Sequence, residues 1–332
     1  MLSKSRSKIQ SLQVFRGLAA LAVLVFHTAQ RGDIHSPFLQ IPLLGYLGVD
    51  FFFVLSGFII MYAHFHDQHT CTATLSYIFK RITRIYPAYL PIGLAVYFLA
   101  TSSGPAHASL MSSIFLIPTV KGPALPQAWT LVHEVLFYAV FLLFFISSRY
   151  FIAGLLIWSA IIIASTLIHI PHAGWDYFFS WLNLEFMFGV AAAWLFHSYH
   201  HRLTKWKRPI ILTGLILFVI LLGLLMKCGD AVMSLRLLFA LSLACIIIGF
   251  ALHEHQHMIR WPKTLLLFGN ASYSLYLIHF SIIAMMFKIL ARHPLPFSFE
   301  FGLSLGLSVI GGLVYYFLIE RPAIRFFQSF RH

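Results

Sequence analysis

An arginine and a histidine eleven residues apart, Arg16 and His27, stand inside one long apolar stretch of the chain. On a helix, eleven steps of about 100° end roughly 20° past three full turns, so both side chains project from one face, His27 about 16 Å further along. The segment between them, Gly17-Leu18-Ala19-Ala20-Leu21-Ala22, is small and apolar and suits close helix packing. Asp50, Glu134, Glu185 with Asn183 nearby, and Arg236 interrupt later apolar stretches. An imidazole among carboxylates is equipped for general acid–base chemistry, because a neighbouring carboxylate fixes its tautomer and makes it a stronger base. A second set, Lys80, Arg81 and Arg84 ahead of Pro87, places two guanidiniums three residues apart on one helix face. Arginine grips phosphate in a bidentate fork, so this cluster suits a phosphorylated ligand.

The elements that position these groups follow from composition. The chain is 60% hydrophobic and 10% charged, with a mean hydropathy of +0.84. A water-facing shell for 332 residues needs more polar surface than that, and lipid is the solvent that fits. Crossing ~30 Å of hydrocarbon takes about 20 helical residues. Ten such stretches are predicted, at residues 12–30, 43–64, 85–103, 127–147, 150–170, 177–197, 209–226, 231–252, 269–290 and 299–320. Backbone groups in lipid must be satisfied within the segment, so these are helices of an all-α integral membrane protein.

Orientation follows from the cations. With the N-terminus inside, the cytoplasmic side holds Lys4, Arg6, Lys8, Lys80, Arg81, Arg84, Arg149, Arg202, Lys205, Lys207, Arg208, Arg260, Lys263, Arg321, Arg325 and Arg331, sixteen of the 23. Arg31, Lys121, Lys227, Lys288 and Arg292 fall outside. This bias predicts both termini in the cytoplasm and explains the net charge of +13 as a topology signal, with no nucleic-acid partner. The basic start resembles a signal peptide, but no small-residue cleavage site follows, so it reads as a retained first helix. The chain reads as one transmembrane domain, residues 1–332, whose longest outer segment, 104–127, is rich in Pro and Gly and has the makings of a re-entrant lid. In this arrangement His27, Asp50, Glu134 and Glu185 fall at one depth toward the outer side, with Arg16 and the basic cluster toward the inner side.

Plainer roles exist for each group. His27 alone could be a packing residue, Arg81 and Arg84 positive-inside anchors, and Glu185 a structural partner of Asn183 or a neighbouring helix. Glu320-Arg321-Pro322 reads as a helix-ending cytoplasmic ion pair. Cys71, Cys228 and Cys245 lie far apart with no CxxC spacing, and no disulfide is expected. His253-Glu254-His255-Gln256-His257 matches the two-histidine pattern of zinc proteases, but it lacks an evident third ligand and the chain has 18 histidines, so no metal site is expected. A proton-coupled transporter would also use buried His, Asp and Glu, yet the internal repeats and broken helices common in transporters are not evident.

At these residues the chain resembles the acyltransferase-3 family of integral-membrane O-acyltransferases. The likeness runs through Phe15-Arg16-Gly17 to Phe26-His27, then Gly48-Val49-Asp50-Phe51-Phe52-Phe53-Val54-Leu55-Ser56-Gly57-Phe58, then Arg81-Ile82-Thr83-Arg84-Ile85-Tyr86-Pro87. Trp129-Thr130-Leu131-Val132-His133-Glu134 with Phe137-Tyr138 follows, carrying threonine where serine is commoner. Ser272-Tyr273-Ser274-Leu275-Tyr276-Leu277-Ile278-His279 and Glu320-Arg321-Pro322 complete the order. The resemblance covers essentially the whole chain. It implies transfer of an acyl group, usually acetyl, from cytoplasmic acyl-CoA, a co-substrate and not a resident cofactor, to a hydroxyl of an envelope polysaccharide or lipid-linked sugar at a bacterial inner membrane. It implies His27 as catalytic base, Arg16 as its essential partner, Arg81 and Arg84 on the CoA side, and Glu134 at the motif's acidic position. Assigning Asp50 to the orientation of His27 rests on depth alone. Direct transfer and an acyl-histidine intermediate both remain open; the former is favoured because no second nucleophile is evident.

Overall fold

The length and hydropathy of the apolar runs become a set of long helices. The structure, a computed structural model, describes residues 9–30, 41–101, 108–168, 175–228, 233–292 and 295–330. Lys4, Arg6, Lys8, Arg31 and Arg331, used for the orientation, lie outside the described residues. No strand occurs among the described residues. The long helices are α1 (Gln10–Ala29), α2 (Gly48–His64), α3 (Cys71–Thr101), α4 (Trp129–Ile146), α5 (Ser148–Ile168), α6 (Leu182–Leu203), α7 (Lys207–Cys228), α8 (Met233–Gln256), α9 (Ser272–Leu290) and α10 (Phe297–Tyr315).

Among the described residues, nine uninterrupted helical stretches are long and apolar enough to cross a membrane. One of them, Leu182–Lys227, has 46 residues. At 1.5 Å per residue it would extend ~69 Å, more than twice the hydrocarbon core. It divides at the short 3₁₀ turn Thr204–Trp206, where Arg202, Lys205, Lys207 and Arg208 gather, so α6 and α7 make separate spans. On α5 the side chains of Leu156, Ile157 and Leu167 stay exposed, as do Leu212, Ile216 and Val219 on α7. An apolar surface of that kind belongs in hydrocarbon. The protein is an all-α, multi-pass membrane protein.

Two boundaries differ from the sequence expectation. The third helix begins at Cys71, not near 85, and runs through Pro87 and Pro91, so Lys80, Arg81 and Arg84 sit within it. The sixth begins at Leu182 after a separate short turn, Asp176–Phe179. Asn183 explains the break: its Nδ2 donates to the carbonyls of Tyr177 (2.7 Å) and Phe178 (3.3 Å), which a continuous helix would have used itself.

The chain divides into two compact units. The first comprises Met1–Phe26, Asp33–Phe65 and Glu185–Ser272. In it α2 and α6 meet backbone to backbone: a Cβ on Gly57 would lie 1.9 Å from the Phe186 carbonyl oxygen, and one on Gly189 would lie 1.9 Å from that of Val54. Phe15 packs edge-on against Phe51, Phe250 and Trp261, with centroids 6.3, 4.9 and 6.4 Å away. The second comprises His27–Gly32, His66–Leu184 and Tyr273–His332. Its core gathers Tyr77, Phe137, Phe141, Phe144 and Phe151, all nearly inaccessible. The described part of the predicted lid forms a short helix, Leu110–Phe115, tied to α3 by Tyr89 Oη donating to the Ser113 carbonyl (2.8 Å) and Tyr86 Oη to that of Phe115 (2.7 Å).

Candidate functional site

Within the second unit, α3, α4 and α9 carry a set of charged and hydroxyl groups at their facing surfaces. The Arg81 guanidinium lies over the rings of Tyr77 and Tyr138, 5.7 and 5.5 Å from their centroids. Its Nε is buried with no hydrogen-bond partner among the described residues. The Tyr138 hydroxyl donates to Glu134, one turn earlier on α4. Arg81 thus holds unsatisfied donor capacity beside a carboxylate–tyrosine pair, an arrangement able to receive an anion.

Arg84 is differently placed. Its Nη1 donates to Glu320 Oε1 at 2.8 Å, and its guanidinium lies 5.2 Å from the centroid of Tyr273. Glu320 is 1% exposed, and its other oxygen accepts from Ser274 N (3.1 Å) and Oγ (2.6 Å). The sequence alone predicts Glu320-Arg321-Pro322 as a helix-ending ion pair at the cytoplasmic surface. The partner is Arg84 instead, and the pair is internal. A π-turn over Tyr316–Glu320 accounts for this: one extra residue per turn swings Glu320 inward ahead of Pro322, which has no N–H to continue a regular ladder. Arg321 stacks on Phe317 (5.6 Å).

His27 lies in the last turn of α1, half-buried. Its Nδ1 is 3.1 Å from Gln30 Oε1, its ring centroid is 5.2 Å from that of His279, and Phe280 meets it edge-on at 5.4 Å. Its Nδ1 thus lies against an amide oxygen. The motif on and before α4 sets the neighbouring helix α9: Gln127 Nε2 donates to the Leu277 carbonyl (2.6 Å), and Thr130 Oγ1 lies 2.9 Å from Tyr276 Oη. His133, of the same motif, is buried with Nδ1 3.1 Å from Asn183 Oδ1. Asn183 is thus committed to His133 and two carbonyls.

In the first unit, Asp50 is fully buried and both its oxygens accept from Arg236, Nη2 at 2.9 Å to each and Nε at 3.2 Å to Oδ1. Glu185 is fully buried near the same pair, and neither of its oxygens has a hydrogen-bond partner among the described residues. Asp50 and Glu185, which depth placed on one level, do come together. Arg16 Nη1 donates to Gln13 Oε1 (3.4 Å), one turn back on α1. Glu254 of the zinc-protease pattern accepts from both Ser11 N (3.0 Å) and Ser11 Oγ (2.7 Å), and the indole of Trp261 donates to Ser11 Oγ (3.0 Å). Glu254 thereby caps the start of α1, where free N–H groups call for an acceptor.

Arg236, Gln127, Tyr138 and His279 are the partners that sequence reasoning left without roles. Arg236 and His279 carried a signal, an ionisable group inside an apolar span. Who meets whom across helices carried none.

A half-buried histidine on a membrane helix, and an arginine with an unmet donor beside a carboxylate, are groups chemically suited to proton transfer and to anion binding. The chain matches the acyltransferase domain family over residues 9–317 and belongs to it. It is an integral-membrane O-acyltransferase. Among its relatives, the exopolysaccharide production protein ExoZ of Rhizobium meliloti (strain 1021) is 28% identical, over 91% of this chain and 95% of that protein. The acyltransferase MdmB of Streptomyces mycarofaciens is 23% identical, over 96% of this chain and 92% of its own. No solved structure gives a significant match.

Proposed function

We propose that the protein transfers an acyl group, acetyl in the simplest case, from cytoplasmic acyl-CoA to a hydroxyl of an envelope polysaccharide or lipid-linked sugar, at a bacterial inner membrane with both termini inside. His27 is the general base. The observation that carries this reading is its environment: Nδ1 is held by Gln30 Oε1, an atom that only accepts, so the proton sits on Nδ1 and Nε2 is the basic nitrogen. A hydroxyl proton passes to Nε2 as the oxygen attacks the thioester carbon. The C–S bond breaks, and the CoA thiolate takes the proton from His27. No covalent enzyme intermediate is needed.

Arg81, with its unmet donor, serves the CoA phosphates, and Arg84 supports it through the Glu320 anchor. Arg16, on the helix that carries His27, is its essential partner, and Tyr138, bonded to Glu134, holds Arg81 in place. Asp50, locked to Arg236, keeps the helices of its unit in register. The exopolysaccharide role named for one relative favours a sugar hydroxyl as acceptor.

The test is incorporation of label from radiolabelled acetyl-CoA into envelope glycan, in membranes of the producing strain carrying wild-type, His27→Ala or Arg16→Ala protein at matched levels. Transfer that requires the wild-type chain and falls ~10²–10⁴-fold in His27→Ala supports the base assignment. Absence of wild-type incorporation with the strain's own acceptor present would reject acetyl as the group carried.

A further inference from the structure

Where α6 turns into α7 the chain forms a cleft of about 720 Å³, lined by Lys205, Lys207 and Arg208 together with His200, His201 and His255. All of it belongs to the first unit: the end of α6, the 3₁₀ turn Thr204–Trp206, the start of α7 and the end of α8. Among the described residues no carboxylate lines it. Glu254, next to His255 on α8, is committed elsewhere, since its Oε1 accepts from Ser11 N and Oγ. No ion pair reaches Lys205, Lys207 or Arg208 among the described residues. Three neighbouring cations without a counter-charge repel one another, and an anion placed among them relieves that repulsion.

The walls are packed structure and not a fringe of loose side chains. Phe196 is buried and backs the rings of His200 and His255, with centroids 5.9 and 5.7 Å away. The His200 ring lies 5.2 Å from that of His255 and 3.9 Å from that of His201. Thr204 Oγ1 donates to the His200 carbonyl (2.6 Å) and closes the last turn of α6. Lys207 Nζ donates to Gln256 Oε1 (2.6 Å), tying the start of α7 to the end of α8. An ammonium has three N–H groups, so this lysine can bond a ligand as well. Next to the cleft α7 and α8 pack closely: a Cβ on Gly249 would lie 2.5 Å from Ile211 Cγ1, and one on Gly214 3.0 Å from Ile246 Cγ1. Cations that served only to fix topology would need no shared cavity.

Size and surroundings point to the ligand. A cleft of this volume holds a group of many atoms, more than a lone phosphate fills. Trp206 stands exposed in the turn, as tryptophans at the headgroup level of a membrane do. One turn past Arg208, Leu212, Leu215 and Ile216 begin the exposed apolar flank of α7, against which acyl chains can lie. A soluble phosphate would meet the cations and leave that flank unused. We propose that the cleft binds the headgroup of a diphosphate phospholipid of the cardiolipin type, its phosphates on Lys205, Lys207 and Arg208 and its acyl chains along α7. Basic pockets between membrane helices suit such headgroups, because charge and chains are satisfied together. The bound lipid clamps the ends of α6, α7 and α8. The site involves none of the residues assigned to acyl transfer and does not depend on that assignment.

The experiment uses full-length protein purified in a nonionic detergent, stripped of lipid and titrated with cardiolipin, phosphatidylglycerol or phosphatidylcholine. Bound lipid is counted by native mass spectrometry, and the melting temperature is followed alongside. Wild type is compared with Lys205→Gln/Lys207→Gln/Arg208→Gln and with Lys227→Gln/Lys288→Gln/Arg292→Gln, a control that removes the same charge elsewhere. Wild type and control are expected to bind cardiolipin at least ~10-fold more tightly than either other lipid, and to melt at a higher temperature with it. The cleft variant is expected to bind cardiolipin ~10²-fold more weakly, about fivefold for each charge lost, and to show no melting shift. Excess pyrophosphate or adenosine 3′,5′-bisphosphate is expected to leave cardiolipin bound. Equal cardiolipin binding by cleft variant and wild type overturns the site, and so does an equal loss in the control. Phosphatidylcholine or phosphatidylglycerol bound as tightly as cardiolipin overturns the diphosphate assignment. Displacement by either soluble phosphate overturns the lipid in favour of a soluble ligand. Should the cleft variant fail to elute as one monodisperse peak, Arg208→Gln alone decides by the same criteria, with an expected loss of about fivefold.

Discussion

Arg81 and Arg84 look equivalent in sequence and differ in what their guanidiniums touch. Arg84 neutralises a carboxylate that is 1% exposed, whereas Arg81 stacks on two tyrosines and keeps a buried Nε unmet. Removing one partner of an internal ion pair strands the other, a loss of roughly 3–5 kcal/mol. Part of Arg84 is exposed, which places the expected loss at or below the low end of that range. Arg84→Ala is therefore expected to lower the melting temperature in detergent, and Arg84→Ala/Glu320→Gln to recover part of it. Arg81→Ala is expected to leave the melting temperature within a few degrees and to raise KM for acetyl-CoA by ~10-fold or more, as loss of a charge-assisted phosphate contact would. Unfolding by intrinsic fluorescence and initial-rate kinetics would separate the two. A stability loss confined to Arg81→Ala would reverse the assignment.

Among elements, α2 and α6 approach closely, where Gly57 and Gly189 let two backbones touch. A side chain at either position meets a carbonyl oxygen 1.9 Å from its Cβ, and backbone cannot yield as a flexible side chain can. Gly189→Val is expected to separate the helices, reduce the monodisperse fraction on gel filtration and cost at least the ~1–3 kcal/mol typical of overpacking. Gly306→Ala on α10, where nothing lies within 4 Å of an added Cβ, is the control and is expected to be neutral or stabilising. A Gly189→Val protein as stable as the control would mean that the contact between these helices is not tight. The π-turn over Tyr316–Glu320 works at the same scale, since it aims Glu320 at Arg84 and Ser274.

For the molecule as a whole, the cation bias predicts which ends face the cytoplasm. Cys71 is exposed at the start of α3, on the side read as cytoplasmic, and Lys121 falls on the opposite side. In a Cys228→Ser background, a membrane-impermeant maleimide is expected to leave Cys71 unlabelled in spheroplasts and to label it in opened membranes. Lys121→Cys in a Cys71→Ser/Cys228→Ser background should label in intact spheroplasts. The reverse pattern would invert the orientation, and with it the side from which acyl-CoA reaches the protein.

Hydropathy and the spacing of ionisable residues are local properties, and what depends on them was legible in the sequence. The all-α membrane fold, the split of Leu182–Lys227 at a basic turn, and the candidacy of Arg16, His27, Arg81, Arg84 and Glu134 all follow from apolar run length and from charges that lipid excludes unless they have a use. Helix depth even brought Asp50 and Glu185 together, because rise per residue is constant. Depth says nothing about rotation or neighbours, however. That Asp50 binds Arg236, that Glu320 binds Arg84, that Asn183 breaks a helix to reach His133, and that His279 faces His27 were decided only in the tertiary structure. Each of these pairings joins residues from different helices, and which helix stands beside which is set by packing of small residues and aromatic rings, a property of the assembled bundle and of no single segment.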